Sequence, residues 1–492
     1  MKHVISAADF ERSWVDEVLE RATRFIGPYR SGVPVGTRPE KVTIFMGEAS
    51  TRTGNSYAEA ARLLGCPTDL IPSGDLTSLI KGESLGATGR MLCGQGAKVI
   101  PIRTKIEGGA RWLSEMFAMK GYEYDVAVHN CGDGANQHPS QALLDLLTIQ
   151  QRLGRTDNMT VGFVGDLRNS RTVHSLVLAL RLFSNIKLVL VSSPQVKLPN
   201  WYYEGIETVV ADTVEALKGC DIVCVTRVQR ERFDDEVTYQ RVRGLYSIGA
   251  KTLEMLGDKT LIMNVQPICA EDLDIHPEIW RHPQVIMDYQ AKMGMPTRMA
   301  LLEWSLEHLQ ETDSHECPAP TIRVVSEGSA SEAIARKRAQ QQYFIPIERG
   351  TVIDRITQGM VARVELLLDA ENCNGDGAVL PLKKLKTDKL PWGLKDVLVV
   401  ENGFFTDEQL AMVSVLAPDV VFNEIRDDRL IKRRVEFVSH ITAGQCPNTV
   451  CVTDMDVEAA LYPHFHVLNG GGSIQLKCHF CERHFRVNEV FS

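Results

Sequence analysis

Two stretches of this chain hold residue types whose spacing suits chemistry. The first is Gly47-Glu48-Ala49-Ser50-Thr51-Arg52-Thr53, which follows the apolar run Val42 to Phe45 and precedes a helical pattern, Ser56 to Leu64. A strand running into a helix start presents unpaired backbone N–H groups and the positive end of the helix dipole. Hydroxyls and the guanidinium of Arg52 would add donors, so an anion such as phosphate suits this place. Taken alone, the same residues more often serve just as a helix cap. The second stretch pairs Cys446-x4-Cys451 with Cys478-x2-Cys481, 26 residues apart. Four thiolates in two knuckles can enclose a tetrahedral zinc ion as a closed, structural site. His479 and His484 lie close by, but four cysteines complete the shell, so both are read as exposed.

Three further stretches are rich in polar groups. Asn130 to Gln141 is a run of turn residues with His138 and Gln141 at its end, leading straight into the pattern Ser140 to Leu153. Gly165 to Leu176 follows a strand pattern and opens a helix with Arg171 near its start. Thr226-Arg227-Val228-Gln229-Arg230-Glu231-Arg232 follows the run Ile222 to Val225. Planar guanidiniums bind carboxylates in bidentate fashion, though a charge-rich run of this kind also reads as a solvated helix end.

The elements that must position these groups alternate. Val42 to Phe45, Val99 to Ile102, Val126 to Val128, Thr160 to Val164, Leu188 to Val191, Ile222 to Val225 and Leu261 to Met263 are short apolar runs. Helical patterns lie between them, including Val173 to Phe183. Such alternation implies parallel sheets covered on both faces, and the number of strands implies two α/β domains, 1–150 and 151–310. From 311 to 342 the composition turns to linker type, with Cys317-Pro318-Ala319-Pro320 and Ser326 to Ser331. Arg336-Lys337-Arg338 reads as a solvated charge cluster. A small α+β domain is expected over 343–440, with strands at Thr351 to Ile356 and Val397 to Val400. The clustered cysteines define a last, zinc-binding β domain over 441–492.

The chain has 492 residues, 44% hydrophobic and 24% charged, the proportions of a globular protein. A net charge of -9 argues against nonspecific nucleic-acid binding. No run approaches the roughly 20 apolar residues of a membrane span, and the acidic N-terminal stretch is unlike a secretion signal. Twelve cysteines without an export signal imply a reducing, cytoplasmic setting, and eight of them, from Cys66 to Cys373, read as small buried hydrophobes.

The Ser50 to Thr53 and Asn130 to Gln141 motifs resemble those of the transcarbamoylases. Thr226 to Gln229 resembles the loop by which aspartate enzymes differ from ornithine enzymes. Gly350 to Asp354, Glu401-Asn402 and the four cysteines resemble the regulatory chain of the aspartate carbamoyltransferases. The resemblance implies a catalytic chain of the transcarbamoylase fold joined to a regulatory chain in one polypeptide. It implies transfer of the carbamoyl group of carbamoyl phosphate to L-aspartate, a step of de novo pyrimidine biosynthesis. Ser50, Thr51, Arg52 and Thr53, with Arg103, would hold phosphate. Thr53, Arg103 and His138 would surround the carbonyl oxygen, and Gln141 would hold the carbamoyl amide. Arg171, Arg227 and Gln229 would hold aspartate, and Glu48 would pair with Arg171 and Arg232 on closure. Ser78 and Lys81, on the stretch Leu76 to Ser84, would reach a neighbouring subunit's site, which implies a homotrimer or larger homo-oligomer. Asp354, Lys395 and Lys432 fit positions that bind nucleotide effectors such as CTP and ATP.

Some positions depart from the family. Ala49 and Gly54 replace a proline and an arginine, and Ile80 replaces a lysine in a shortened loop. Asn264-Val265-Gln266-Pro267-Ile268-Cys269 stands in place of His-Pro-Leu-Pro-Arg. In the regulatory part, Val399 and Arg355 replace a lysine and a histidine. These departures leave two other readings open: a carbamoyltransferase with another acceptor, and a non-catalytic assembly or sensing subunit.

Overall fold

The structure, a computed structural model, describes residues 2–72, 82–122, 124–228, 235–242, 246–267, 274–311, 318–339, 347–373, 377–470 and 473–491. The chain divides into two compact units, 1–313 with 450–458, and 314–449 with 459–492.

The first unit holds two parallel sheets. Strands β1 (Lys41–Met46), β2 (Thr68–Ile71), β3 (Ala97–Thr104) and β4 (Ala127–Asp133) are ordered β2-β1-β3-β4. Strands β5 (Met159–Val164), β6 (Ile186–Val191), β7 (Glu207–Ala211), β8 (Ile222–Val225) and β9 (Leu261–Asn264) are ordered β7-β6-β5-β8-β9. The helices of this unit include α1 (Arg12–Ser31), α2 (Thr51–Leu63), α3 (Leu85–Gly94), α4 (Gly109–Ala118), α5 (Pro139–Leu153), α6 (Arg171–Leu180), α7 (Glu236–Val242), α8 (Ala250–Leu256) and α9 (Met287–Glu307).

Central strands such as β5 are buried along nearly their whole length, which is why they read as apolar runs, whereas β4 is buried throughout but turns polar beyond Val128. Helix α5 packs on β4 on one side and on α6 on the other, and α9 returns to pack on α1, α2 and α5. One continuous core therefore spans both sheets. It joins Val42 and Ile44 to Val161, Phe163 and Leu188 through Leu143, Leu147, Met299 and Leu302. Buried to this degree, a leucine contributes about 2 kcal/mol, so the helix pair fastens the two domains.

Buried polar groups fix the strand ends. His129 on β4 is buried; its Nε2 lies 2.7 Å from Ser305 Oγ and its Nδ1 lies 3.4 Å from Tyr57 Oη. Ser305 gives its hydrogen to the Lys2 carbonyl at 2.7 Å, so Nε2 of His129 is the donor and Nδ1 accepts from Tyr57. The ring is thus held neutral, and burial pushes its pKa down to about 3.

Residues 450–458 pack within this first unit. The Asp456 carboxylate accepts from the N–H groups of Leu85 (2.7 Å) and Gly86 (3.2 Å), in the first turn of α3. Glu458 makes a bidentate pair with Arg90 at 2.5 and 2.9 Å. The N–H of Glu107 donates to the Val450 carbonyl, and the N–H of Val452 donates to the Glu107 carbonyl.

The second unit begins with an antiparallel six-stranded sheet, β10 (Thr321–Ser329), β11 (Gly350–Ile356), β12 (Val379–Lys386), β13 (Leu394–Glu401), β14 (Val421–Arg426) and β15 (Arg429–Phe437). Their order is β10-β15-β14-β11-β13-β12. The helices Val361–Leu367 and Asp407–Leu416 cover one face, closing a core with Ile353, Leu398, Val400 and Phe422. Thr406 starts the second of these helices with a capping box to Gln409.

The expected linker is corrected over 321–339. It forms edge strand β10, paired antiparallel with β15, and the helix Ala330–Ala339. Val324 and Val325 are 46% and 54% exposed, so the strand is held by its ladder rather than by burial. A second small sheet, β16 (His440–Ile441), β17 (Phe465–Gly470), β18 (Ser473–Cys478) and β19 (His484–Arg486), is antiparallel and ordered β16-β17-β18-β19.

Candidate active site and metal centre

Strand β1 leads into the Gly47 to Thr53 stretch. Beyond Met46 the chain turns, and Ser50 becomes the N-cap of α2, accepting from the Thr53 N–H at 3.4 Å. Thr51 and Arg52 are exposed in the first turn and Thr53 is buried. The helix start therefore carries free backbone donors, with the Arg52 side chain in the same first turn.

Glu48 lies between two arginines. Arg103, at the end of β3, reaches it at 3.3 Å, and Arg171, at the start of α6, reaches it at 2.9 Å. The latter pair joins the first domain to the second. Burial alone would raise the Glu48 carboxyl, but Arg171 and Arg103 outweigh burial and hold it below the usual carboxylate range. Burial and the charge of Arg171 push Arg103 down to about 10, so it remains a cation at neutral pH. Arg171 also donates to the Gly134 carbonyl at 3.0 Å and lies against Gly132. Gly132 has φ 113°, and a Cβ there would lie 2.8 Å from the Arg171 Cζ. Only glycine fits that position.

The run Asn130 to Gln141 is buried throughout. Buried Asp133 pins it, accepting from the side-chain amides of Asn130 and Asn136 and from the N–H groups of Gln137 and Gly108. Burial lifts the Asp133 carboxyl to about 6, against these hydrogen bonds. His138 begins α5, its N–H donating to Ser175 Oγ at 2.8 Å. Burial, then the charges of Arg171, Arg103 and Arg298, depress its pKa well below the usual histidine value. Its imidazole is therefore neutral.

Gln141 gives its amide N–H to Asp145 at 2.9 Å, and Gln290 donates to the same carboxylate oxygen at 2.6 Å. Burial pushes Asp145 up to about 7. Asp145 and Gln290 also line a small cavity with Thr172, Thr226 and Asn264, at the carboxyl ends of β8 and β9. Asn264 is buried; its N–H donates to Gln290 Oε1, and its side chain accepts from the Gln266 N–H at 2.7 Å. The peptide between Gln266 and Pro267 is cis. Arg227 follows β8, half-buried. Ser78, Lys81, Gln229 and Arg232 lie outside the described residues.

Asp145, Gln290 and Arg298 were missed in the sequence. Arg298 is buried on α9, with its guanidinium 5.3 Å above the Tyr57 ring. Its position inside an apolar helical run gave no hint of a site.

In the second unit, Lys395 Nζ lies 2.6 Å from Asp354 Oδ1. Lys337 is half-buried and its pKa is lowered by burial, with Asp354 opposing and Lys432 and Lys395 adding repulsion. Asp354, Lys395 and Lys432 are thus brought together. The reading of Arg336 to Arg338 as a solvated cluster is corrected for Lys337, which joins them. Val399 is buried in the small cluster of Val352 and Val397 and offers nothing to a ligand.

The Sγ atoms of Cys446, Cys451, Cys478 and Cys481 all lie within 4.8 Å of one another and are buried. Those of Cys446 and Cys481 are 3.7 Å apart. Four thiolates about 2.3 Å from a tetrahedral ion would lie about 3.8 Å apart, so the cluster fits a metal. His479 and His484 are not exposed as expected. His479 is hydrogen-bonded to His466 at 2.9 Å, and burial followed by Lys477 lowers His484 to about 4. Of the other cysteines, Cys66, Cys131 and Cys220 are buried, and burial raises their thiols to about 11 or 12.

Comparison with known families matches each region. The carbamoyl-phosphate-binding domain of aspartate/ornithine carbamoyltransferases matches residues 2–151, and their Asp/Orn-binding domain matches 157–305. The allosteric domain of the aspartate carbamoyltransferase regulatory chain matches 344–436, and its metal-binding domain 441–491. The chain is 36% identical to the aspartate carbamoyltransferase catalytic subunit of Archaeoglobus fulgidus over 306 residues, 61% of this chain and 98% of the relative. Identity to that of Methanoculleus marisnigri is 40% over 309 residues, 61% and 98% of the two chains. The Methanocaldococcus jannaschii catalytic subunit superposes with TM-score 0.56 at 36% identity, covering 62% of this chain and 98% of that one. The Trypanosoma cruzi aspartate transcarbamoylase solved with carbamoyl phosphate gives 0.56 at 27%, covering 62% and 95%.

Two parallel α/β domains held by a helix pair, with guanidiniums gathered at their facing strand ends, define a carbamoyltransferase. More particularly, the chain belongs to the aspartate/ornithine carbamoyltransferase family and carries the regulatory-chain domains of aspartate carbamoyltransferase in the same polypeptide.

Proposed function

We propose that this chain transfers the carbamoyl group from carbamoyl phosphate to L-aspartate, giving N-carbamoyl-L-aspartate and phosphate for pyrimidine synthesis. The observation that carries this reading is the meeting of Arg103 and Arg171 on Glu48, with the buried His138 within reach of the charges of Arg171, Arg103 and Arg298. A pair of anionic reactants would be drawn into such a site and oriented there.

Ser50, Thr51, Arg52 and Thr53, with Arg103, would hold phosphate. Arg171, Arg227 and Gln229 would hold the carboxylates of aspartate. As the amine attacks the carbamoyl carbon, charge grows on the carbonyl oxygen. Thr53, Arg103 and His138 would donate to it, each such donor contributing on the order of 3 kcal/mol. The amine's proton leaves as the bond to phosphate breaks, and the departing phosphate can accept it. Gln141 would orient the carbamoyl amide, its own N–H being anchored by Asp145. Glu48 pairs Arg171 with Arg103 and would fix the closed form; Arg232 would join it.

The metal is read as zinc, one ion per chain in the four-cysteine cluster, with a structural role. Nucleotides such as CTP or ATP would bind the cations Lys337, Lys395 and Lys432 beside Asp354. By the likeness of Leu76 to Ser84 to the family's shared-site loop, Ser78 and Lys81 would serve a neighbouring copy in a homotrimer or larger assembly. Among the described residues no helix is long and apolar enough to cross a membrane, in keeping with a place in the cytoplasm.

The test is a steady-state assay of carbamoyl aspartate formation with aspartate varied. Arg52→Ala should reduce turnover by about 100-fold or more, whereas Arg227→Ala should chiefly raise KM for aspartate. No product at saturating substrates would reject the reading, and unchanged aspartate kinetics in Arg227→Ala would reject the acceptor assignment.

A further inference from the structure

Outside the site and the thiolate cluster, the second unit holds a group of imidazoles with no part in the proposed reaction. His464 immediately precedes β17 and His466 lies within it, on either side of Phe465. Alternation along a strand sends these two side chains to one face and Phe465 to the other, where Phe465 is 1% exposed. The His479 N–H donates to the His464 carbonyl at 2.9 Å, which sets the two residues side by side across neighbouring strands. His440 of β16 pairs with His466 in register. Four histidines therefore share one face of a small sheet.

Three of these rings converge. Nε2 of His466 and Nδ1 of His479 are 2.9 Å apart. The ring centroids of His464 and His479 are 4.5 Å apart, and those of His464 and His466 are 5.1 Å apart. One nitrogen from each of the three can be chosen so that all lie within 4.8 Å of one another. All three residues are half-buried, which leaves an open side.

We infer that His464, His466 and His479 form a second metal site, for a divalent transition ion of the zinc, nickel or copper kind. Imidazole nitrogen suits these ions, whereas calcium and magnesium demand oxygen. Nitrogens bound at about 2.1 Å lie roughly 3.0 to 3.4 Å apart around octahedral or tetrahedral ions. The His466–His479 edge already has that length. The other edges close by rotation of surface side chains, with no change in the strand register that places them. The His466–His479 hydrogen bond uses one N–H, so binding moves that proton to the ring's other nitrogen and leaves both rings neutral. Three protein ligands leave room for water, so this ion exchanges, unlike one enclosed by four thiolates. The ring of His440, 5.3 Å from that of His464, stands next in line as a fourth nitrogen.

The test uses the full chain equilibrated with micromolar Zn2+, desalted and read by elemental analysis and zinc X-ray absorption. The wild type should hold two ions per chain, with a nitrogen shell present beside the sulfur shell. His464→Ala/His466→Ala should hold one ion with an all-sulfur shell, and His484→Ala, whose ring lies outside the trio, should still hold two. A wild type that takes up a single ion, or a second ion whose surroundings contain no imidazole, would overturn the inference. Retention of both ions by the double variant would do so as well. Because the wild-type shell is read directly, a double variant that misfolds leaves the inference open to refutation. The thiolate reading fails separately, through absence of the sulfur shell.

Discussion

His129 and Glu48 show two opposite uses of a buried ionisable group. His129 is held neutral by burial, with Tyr57 and Ser305 at its two ring nitrogens, and has a folded pKa of about 3 against roughly 6.5 when unfolded. A depressed histidine stabilises the fold above pH 6.5, and that contribution is lost as pH falls toward 3. The slope is roughly 1.4 kcal/mol per pH unit for one group. His129→Gln should therefore lower the urea midpoint at pH 7.5 yet flatten its fall between pH 6.5 and 4; a parallel, merely shifted curve would refute this. Glu48 is instead kept charged by Arg103 and Arg171. Glu48→Gln leaves two guanidiniums facing each other, and kcat/KM for aspartate should fall roughly 100-fold, near 3 kcal/mol. A wild-type value in that assay would remove Glu48 from domain closure. Ser50 to Thr53, Arg103 and His138 were singled out by the likeness of their motifs to the transcarbamoylases, because a donor-rich run at a helix start taken alone is more readily a cap. Arg298 and Asp145 were not, since each sits alone in an apolar helix and only tertiary packing brings it to the site.

Elements were legible in proportion to their burial. Strands β1, β3, β5, β6, β8 and β9 are apolar because both faces are covered. β7 and β10 escaped notice because their side chains are largely exposed, and composition carried only the turn-forming serines and glycines. The start of α6 illustrates how elements are set against one another: Arg171 reaches Glu48 only because Gly132 gives it room. Gly132→Ala adds a clash and a strained φ, costing about 1–3 kcal/mol. The expected result is a greater loss of turnover than of thermal stability; a loss of stability with full activity would contradict the packing argument. The α3 cap is a second case. Asp456→Ala should cost about 1 kcal/mol, read as an about fivefold faster amide exchange at Leu85 and Gly86, with distant amides unchanged.

For the whole molecule, catalytic and metal-binding chemistries occupy different stretches of one polypeptide. Stripping the four-cysteine cluster of its ion should loosen the C-terminal sheet before it harms turnover, because no residue of the proposed reaction is a ligand. Chelator added to the full chain should thus expose four reactive thiols while aspartate turnover, measured at once, stays near its starting value. Immediate loss of activity would show the two chemistries to be coupled. Family membership reached the whole chain from motifs alone, since four separate stretches carried recognisable patterns. The convergence of Lys337 on Asp354 did not, because a helix within an expected linker has no visible reason to fold back.

The carboxylate that caps α3 lies 371 positions downstream of Leu85, whose amide it receives. A ribosome making this chain releases the opening turn of that helix early and leaves its amides to water until nearly everything else has emerged. The domain that holds α3 is thus finished only after the domain that follows it has left the tunnel. A chain cut short before Asp456 would leave that distant helix start without its carboxylate.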